Sequence, residues 1–195
     1  MESVQQLKSD RSPRETLSMD PIKFILWLFL VTIIMLFASQ TSAYLVRRAE
    51  GNWLEFEMPQ IFWYSTVVLA LSSAAMQWAY FAAKKDRFRE LKIAISITFV
   101  LGLAFLFMQF EGWKKLVEMN VYFVGNPSGS FFYVFTGLHG LHLISGIIVL
   151  MFSLAAAVRM NVHSKNLRKI EICVTYWHFL DILWIYLFVF LLTFK

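Results

Sequence analysis

Two pairs of titratable side chains stand one helical turn apart inside long apolar runs. His139 and His142 lie in Phe135-Thr136-Gly137-Leu138-His139-Gly140-Leu141-His142, and His178 and Asp181 lie in Tyr176-Trp177-His178-Phe179-Leu180-Asp181. Imidazole and carboxylate groups at i and i+3 project from neighbouring positions on one face of a helix. There they can ligate a metal ion, pass protons, or bond one helix to the next. A charged side chain costs about 2.5–3.5 kcal/mol or more at a bilayer centre unless it meets protein, water or a partner. Glu171 sits two turns before His178 on the same side.

Three chemistries are open to these residues. A pair of His-x-x-(His/Asp) turns on facing helices is how bundle di-metal centres are assembled, although such centres take several carboxylates from four helices. Here only Asp181 lies well inside an apolar run. A proton or ion path also uses His and Asp in membrane segments, but transporters of that kind show broken helices or paired halves, and neither is visible. The third reading is structural: the side chains bond each other and the backbone across helices. Such bonds average about 0.6 kcal/mol, with the largest near 1.7. The structural reading is the default for His139, His142, His178 and Asp181. No phosphate-binding glycine loop and no nucleophile elbow is present.

The elements that must position these residues are membrane spans. Of 195 residues, 58% are hydrophobic and 16% charged, against about 45–50% and 25% in soluble domains; the mean hydropathy is +0.59. Runs of about 20 apolar residues cross ~30 Å of hydrocarbon as helices, and five are present: 22–46, 61–83, 91–113, 131–158 and 173–194. Helices are required because every backbone polar group must be paired within its own segment. The fold class is therefore all-α, a polytopic bundle of five transmembrane helices, with residues 1–21 as a cytoplasmic segment and 22–195 as the membrane domain. The first run is too long for a signal peptide and is followed by no small-residue cleavage site. It reads as a retained helix with Asp20 as N-cap and Pro21 at the first helical position.

The net charge of +5 reflects orientation, not nucleic-acid binding. Thirteen Lys and Arg fall in the N-terminal segment and in the second and fourth connections; five fall on the other side. The positive-inside rule then places the N-terminus in the cytoplasm and the C-terminus outside. Cys173 is the single cysteine, so no internal disulfide or thiolate cluster can form.

The second connection, Lys84–Glu90, is short, which predicts antiparallel neighbours on either side. Gly125-Asn126-Pro127-Ser128-Gly129-Ser130 is a turn, with Ser128 or Ser130 as the expected cap of the fourth helix. The first connection carries Glu50, Glu55 and Glu57 with Trp53, Leu54 and Phe56, and is placed on the outer membrane surface. Aromatic residues such as Trp27, Trp63, Tyr64 and Trp78 gather near predicted helix ends, where interfacial belts form. Small residues at Gly137, Gly140, Ser145 and Gly146, and at Ser72, Ser73, Ala74 and Ala75, predict close packing inside the bundle rather than a subunit-docking face.

Read together, the motifs look familiar. Ser130-Phe131-Phe132-Tyr133-Val134-Phe135-Thr136-Gly137-Leu138-His139-Gly140-Leu141-His142 resembles a signature of subunit III of the haem-copper oxidases, the cytochrome c oxidase family. Glu171 with Tyr176-Trp177-His178-Phe179, Asp181 and Trp184 resembles a second signature at the same spacing. Weaker echoes lie at Trp27-Leu28-Phe29-Leu30, Ser65-Thr66, Ser72-Ser73, and Gln109 with Trp113; the similarity covers nearly the whole chain after Pro21.

The resemblance implies a five-helix version of a subunit whose fuller form has seven, the first two being missing. It implies an accessory subunit of a proton-pumping terminal oxidase in a bacterial cytoplasmic membrane. Such a subunit has no cofactor of its own, binds phospholipid, and packs on catalytic subunit I, and on subunit II, with a larger respiratory supercomplex as a further setting. Haem and copper belong to the catalytic partner, which reduces O2 to water. His139, His142, Glu171, Tyr176, Trp177, His178, Asp181 and Trp184 are then inter-helix or subunit contacts.

Two positions depart from the family pattern: Ile33 stands where a membrane-embedded Glu is usual, and Gly112 where a Glu precedes the tryptophan, with Glu111 one place early. The rival readings are a stand-alone transporter or metal-binding membrane protein using His139, His142, His178 and Asp181, and an accessory subunit of a quinol oxidase or nitric oxide reductase.

Overall fold

A computed structural model describes residues 20–158 and 167–194, apart from the side chains of residues 156 and 158. Residues 1–19, most of the fourth connection, and Lys195 lie outside the described residues. The five expected spans are five helices: α1 Pro21–Ala49, α2 Ile61–Lys84, α3 Phe88–Glu118, α4 Pro127–Val158 and α5 Arg168–Thr193. All five are long and apolar enough to cross a membrane.

Most helices outrun the apolar stretches that announced them. α3 begins three residues before Leu91 and ends five after Trp113, and α5 begins five residues before Cys173. A hydropathy run marks only the hydrocarbon-crossing part, while charged helical ends extend beyond it. Asp20 caps α1 as expected: its carboxylate accepts the Ile22 amide at 3.2 Å, and Pro21 follows. The Arg168 guanidinium beside Asp20 holds this carboxyl below the usual range.

The expected cap of α4 is corrected. The helix starts at Pro127, ahead of both serines, and the capping oxygen is Asn126 Oδ1, which accepts the Ser128 amide at 3.0 Å. The same amide side chain accepts from Leu54 N at 3.3 Å and donates to the Asn52 carbonyl at 3.1 Å, tying the turn to the first connection. Ser130 Oγ instead donates to the Phe123 carbonyl at 2.6 Å. The first connection folds against the helix ends, with the Trp53 ring 4.7 Å from Tyr44 and Phe56 5.6 Å from Phe132.

α2 and α3, joined by a tight turn with Asp86 at φ +54°, form the most extensive helix pair. α3 packs on α4, α4 on α5, and α5 back on α2, which closes a four-helix core. Trp177, Trp184, Phe105 and Phe135 lie inside it, each almost fully buried. Close approach is set at two glycines around one indole. A Cβ on Gly102 of α3 would lie 2.8 Å from Trp177 Cη2, and one on Gly146 of α4 would lie 2.9 Å from Leu180 Cδ1 and 3.6 Å from Trp177. The expected packing role of small residues holds at Gly146, while a Cβ on Gly140 would meet nothing within 4 Å.

α1 lies outside this core. Among the described residues it packs on α4 and α5 alone, through a narrow stripe of Leu30, Ile33, Phe37, Thr41 and Tyr44. Its other faces are apolar and exposed, as suits a helix facing lipid or a partner.

Candidate functional site

The polar side chains inside the spans form interhelical seams, and one device recurs. A Ser or Thr hydroxyl donates along its own helix to a carbonyl three or four residues back, which leaves its oxygen to accept from the next helix. Thr66 donates to the Phe62 carbonyl at 2.8 Å and accepts Trp184 Nε1–H at 3.0 Å. Ser72 donates to Leu69 at 2.8 Å and accepts Trp177 Nε1–H at 3.1 Å. Ser65 donates to Phe62 at 2.9 Å and accepts from Gln109 Nε2 at 3.2 Å. Thr136 donates to Phe132 at 2.8 Å and accepts Trp113 Nε1–H at 3.0 Å. Ser145 donates to the His142 carbonyl at 2.6 Å, so the 2.6 Å contact with Tyr176 has the phenol as donor. Hydroxyls satisfied in this way tie α2 to α5 and α3, α3 to α4, and α4 to α5.

The two motif pairs diverge. His139 is fully buried, its ring 5.0 Å from Trp184 and edge-on to Phe105 at 5.9 Å, and neither ring nitrogen has a hydrogen-bond partner among the described residues. His142 turns towards α1, 5.8 Å from the Phe37 ring, and donates Nδ1–H to the Leu138 carbonyl at 2.7 Å. Three residues of helix rotate a side chain by about 60° from exact alignment, enough to send the pair to different neighbours.

The structural reading expected His178 and Asp181 to bond each other; they do not. His178 Nε2–H donates to Gln77 Oε1 at 3.0 Å, and Nδ1 meets Ser73 Oγ at 2.6 Å. Both partners are on α2. Asp181 is 4% exposed, and neither carboxyl oxygen has a hydrogen bond among the described residues. Glu171 faces α1 and pairs with Lys23 at 2.6 Å. Together with Asp20–Arg168, it joins the starts of α1 and α5.

Among the described residues no three His, Cys, Asp or Glu side chains converge to hold a metal ion. The four candidate ligands point to three places: His139 to the core, His142 to α1, and His178 and Asp181 to the groove along α2. The departures from the family pattern are also placed. Ile33 is buried on the inward stripe of α1. Gly112 stands where an added Cβ would come 2.7 Å from the Phe62 ring, while Glu111 pairs with Lys114 at 2.7 Å. Sequence reasoning quoted Ser65, Thr66, Ser72, Ser73, Gln109 and Trp113 without assigning partners, and overlooked Gln77. The available signal was the seven-residue spacing of Ser65-Thr66 and Ser72-Ser73, matched by Trp177 and Trp184.

The family model described as cytochrome c oxidase subunit III matches residues 52–195, which include both His-bearing motifs. The chain is 28% identical over 167 residues to cytochrome c oxidase subunit 3 of Bacillus sp. (strain PS3), covering 83% of this chain and 80% of that one. It is 32% identical over 167 residues to the Alkalihalophilus pseudofirmus protein of the same name, covering 83% and 81%. With the Myxine glutinosa protein, also so named, it shares 30% identity over 135 residues, 69% of this chain and 49% of that longer one. This five-helix membrane chain belongs to the cytochrome c oxidase subunit III family.

Proposed function

We propose that the chain is a haem-free accessory subunit of a proton-pumping haem-copper oxidase, holding phospholipid and packing on the catalytic subunit that reduces O2 to water. The single observation carrying this reading is the subunit III match across residues 52–195. The site is consistent with it: the side chains of Glu171, Tyr176, Trp177, His178 and Trp184 each bond a neighbouring helix, which is what a supporting subunit needs, while His142 bonds its own. Cytochrome c is the electron donor, following the names of the relatives. The complex lies in the bacterial cytoplasmic membrane with the N-terminus of this chain inside, the side to which the basic residues fall by thirteen to five.

Deleting the chain from its host tests this function. Cytochrome c-driven O2 consumption by the membranes should fall or decay during turnover while the reduced haem bands of the remaining catalytic subunit keep their positions. Unchanged, sustained oxidation of cytochrome c in the deletion strain would contradict the proposal.

A further inference from the structure

On the membrane-facing side of the α2–α5 seam a groove opens between the two helices. Thr66, Ala70 and Ser73 line it from α2, and His178, Asp181 and Ile182 from α5. Those three α2 residues fall at i, i+4 and i+7 and are small, a pattern that lets a further helix approach closely; the fourth α2 residue of the groove, Leu69, is buried beneath them. Asp181 is only 4% exposed, yet among the described residues neither oxygen has a hydrogen bond. Ser73 Oγ lies beside the carboxyl but falls short of a hydrogen bond to either oxygen, and its close partner is His178 Nδ1 at 2.6 Å. His178 Nε2–H is committed to Gln77 Oε1, so the neutral ring accepts at Nδ1, and the hydroxyl proton of Ser73 goes there. A buried carboxyl left unbonded in this way is costly.

The depth of Asp181 decides what can meet it. It lies thirteen residues after Arg168 and twelve before Thr193, which places it about 18–20 Å from either helix end at 1.5 Å per residue. Lipid headgroups sit at those ends, and acyl chains carry no hydrogen-bonding group. Among the described residues no Lys or Arg lines the groove. The lip is apolar, with Ile182 66% and Ile185 47% exposed. A donor for Asp181 must come at mid-membrane depth, from a side chain on another helix.

From this we infer that the α2–α5 groove seats a transmembrane helix of another oxidase subunit, and that this helix presents a hydrogen-bond donor to Asp181. The donor suits the carboxyl in either protonation state, since an oxygen accepts in both. This inference rests on the accessory-subunit reading and deepens it by naming the docking face.

The test is photocrosslinking in native membranes, with a benzophenone amino acid replacing Ile182 or Ile185 in the full chain. Phe107 on α3 and Phe152 on α4, both strongly exposed, serve as comparison positions. Adducts to another oxidase subunit should form from 182 and 185 at several-fold higher yield than from 107 and 152. Adducts to that subunit from 107 or 152 alone would overturn the groove while leaving the accessory-subunit reading intact. Adducts at 182 and 185 only to lipid, or to a second copy of this chain, would overturn the groove equally. A chain that co-purifies with no haem would overturn the underlying reading. Asp181→Leu should weaken retention of the partner about three- to twentyfold, the span of one interhelical hydrogen bond, while Asp181→Asn, which keeps an acceptor oxygen, retains it. Equal retention by both variants contradicts the role of Asp181; should Asp181→Leu fail to fold, the crosslinks from the native Asp181 background decide.

Discussion

At the scale of single residues, the hydrogen-bonded hydroxyls inside the spans join one helix to the next. The arrangement works because a hydroxyl bonded to its own helix carries no unsatisfied proton and still offers an acceptor to the neighbour. Trp184 on Thr66 is a clean example at 3.0 Å. A double-mutant cycle of Thr66→Val and Trp184→Phe, read by thermal denaturation of the detergent-purified complex, should give a coupling of about 0.6–1.7 kcal/mol. The haem spectrum should not move; a shifted spectrum in fully assembled complex would assign these residues a role beyond packing. The motif histidines and Asp181 were legible in the sequence as anomalies, since polar groups in an apolar run need an explanation. Their partners were not. Whether His178 bonds Asp181 on its own helix or Ser73 and Gln77 on another depends on tertiary placement, and local spacing permits both.

At the scale of elements, the fold turns on how closely four helices approach around Trp177. Gly102→Ala should force the indole out of place, lowering stability by about 1–3 kcal/mol as overpacking does. Gly140→Ala, which meets open space, should be neutral or slightly stabilising, because alanine is the better helix former. Equal effects of the two changes on the melting temperature of the complex would contradict this packing. All five spans were legible because length and apolarity suffice to mark a crossing. Their ends were less so, for hydropathy does not register helical turns that continue past the hydrocarbon, as at Arg168–Ile172. The cap of α4 was missed because Ser128 and Ser130 are ordinary cap residues by type, while Asn126 reaches the Ser128 amide first and is also held by Leu54 and Asn52.

At the scale of the whole molecule, a closed four-helix core carries one peripheral helix. α1 is held by a thin inward stripe and, at its start, by the Lys23–Glu171 and Asp20–Arg168 pairs. Which helices are neighbours was only partly legible: the short turn dictated the α2–α3 pairing, while the closing of α5 on α2 left only the matched seven-residue spacings of the α2 hydroxyls and the α5 tryptophans as a trace. The charge asymmetry makes a further forecast about orientation. A cysteine introduced at Asn52, in the first connection, should react with a membrane-impermeant maleimide from outside intact cells, and one at Lys85 should react only after the membrane is opened. The reverse pattern would invert the topology. Buried Cys173 leaves little background. The central claim, that this chain supports a haem-copper catalytic partner without carrying haem itself, is met most directly by affinity purification of the tagged chain in mild detergent, followed by a reduced-minus-oxidised spectrum and metal analysis. The account predicts haem bands and copper in near-stoichiometric amount, both assigned to a larger co-purifying membrane subunit; a lone 22.8 kDa chain without haem, from membranes that contain the oxidase, would contradict it.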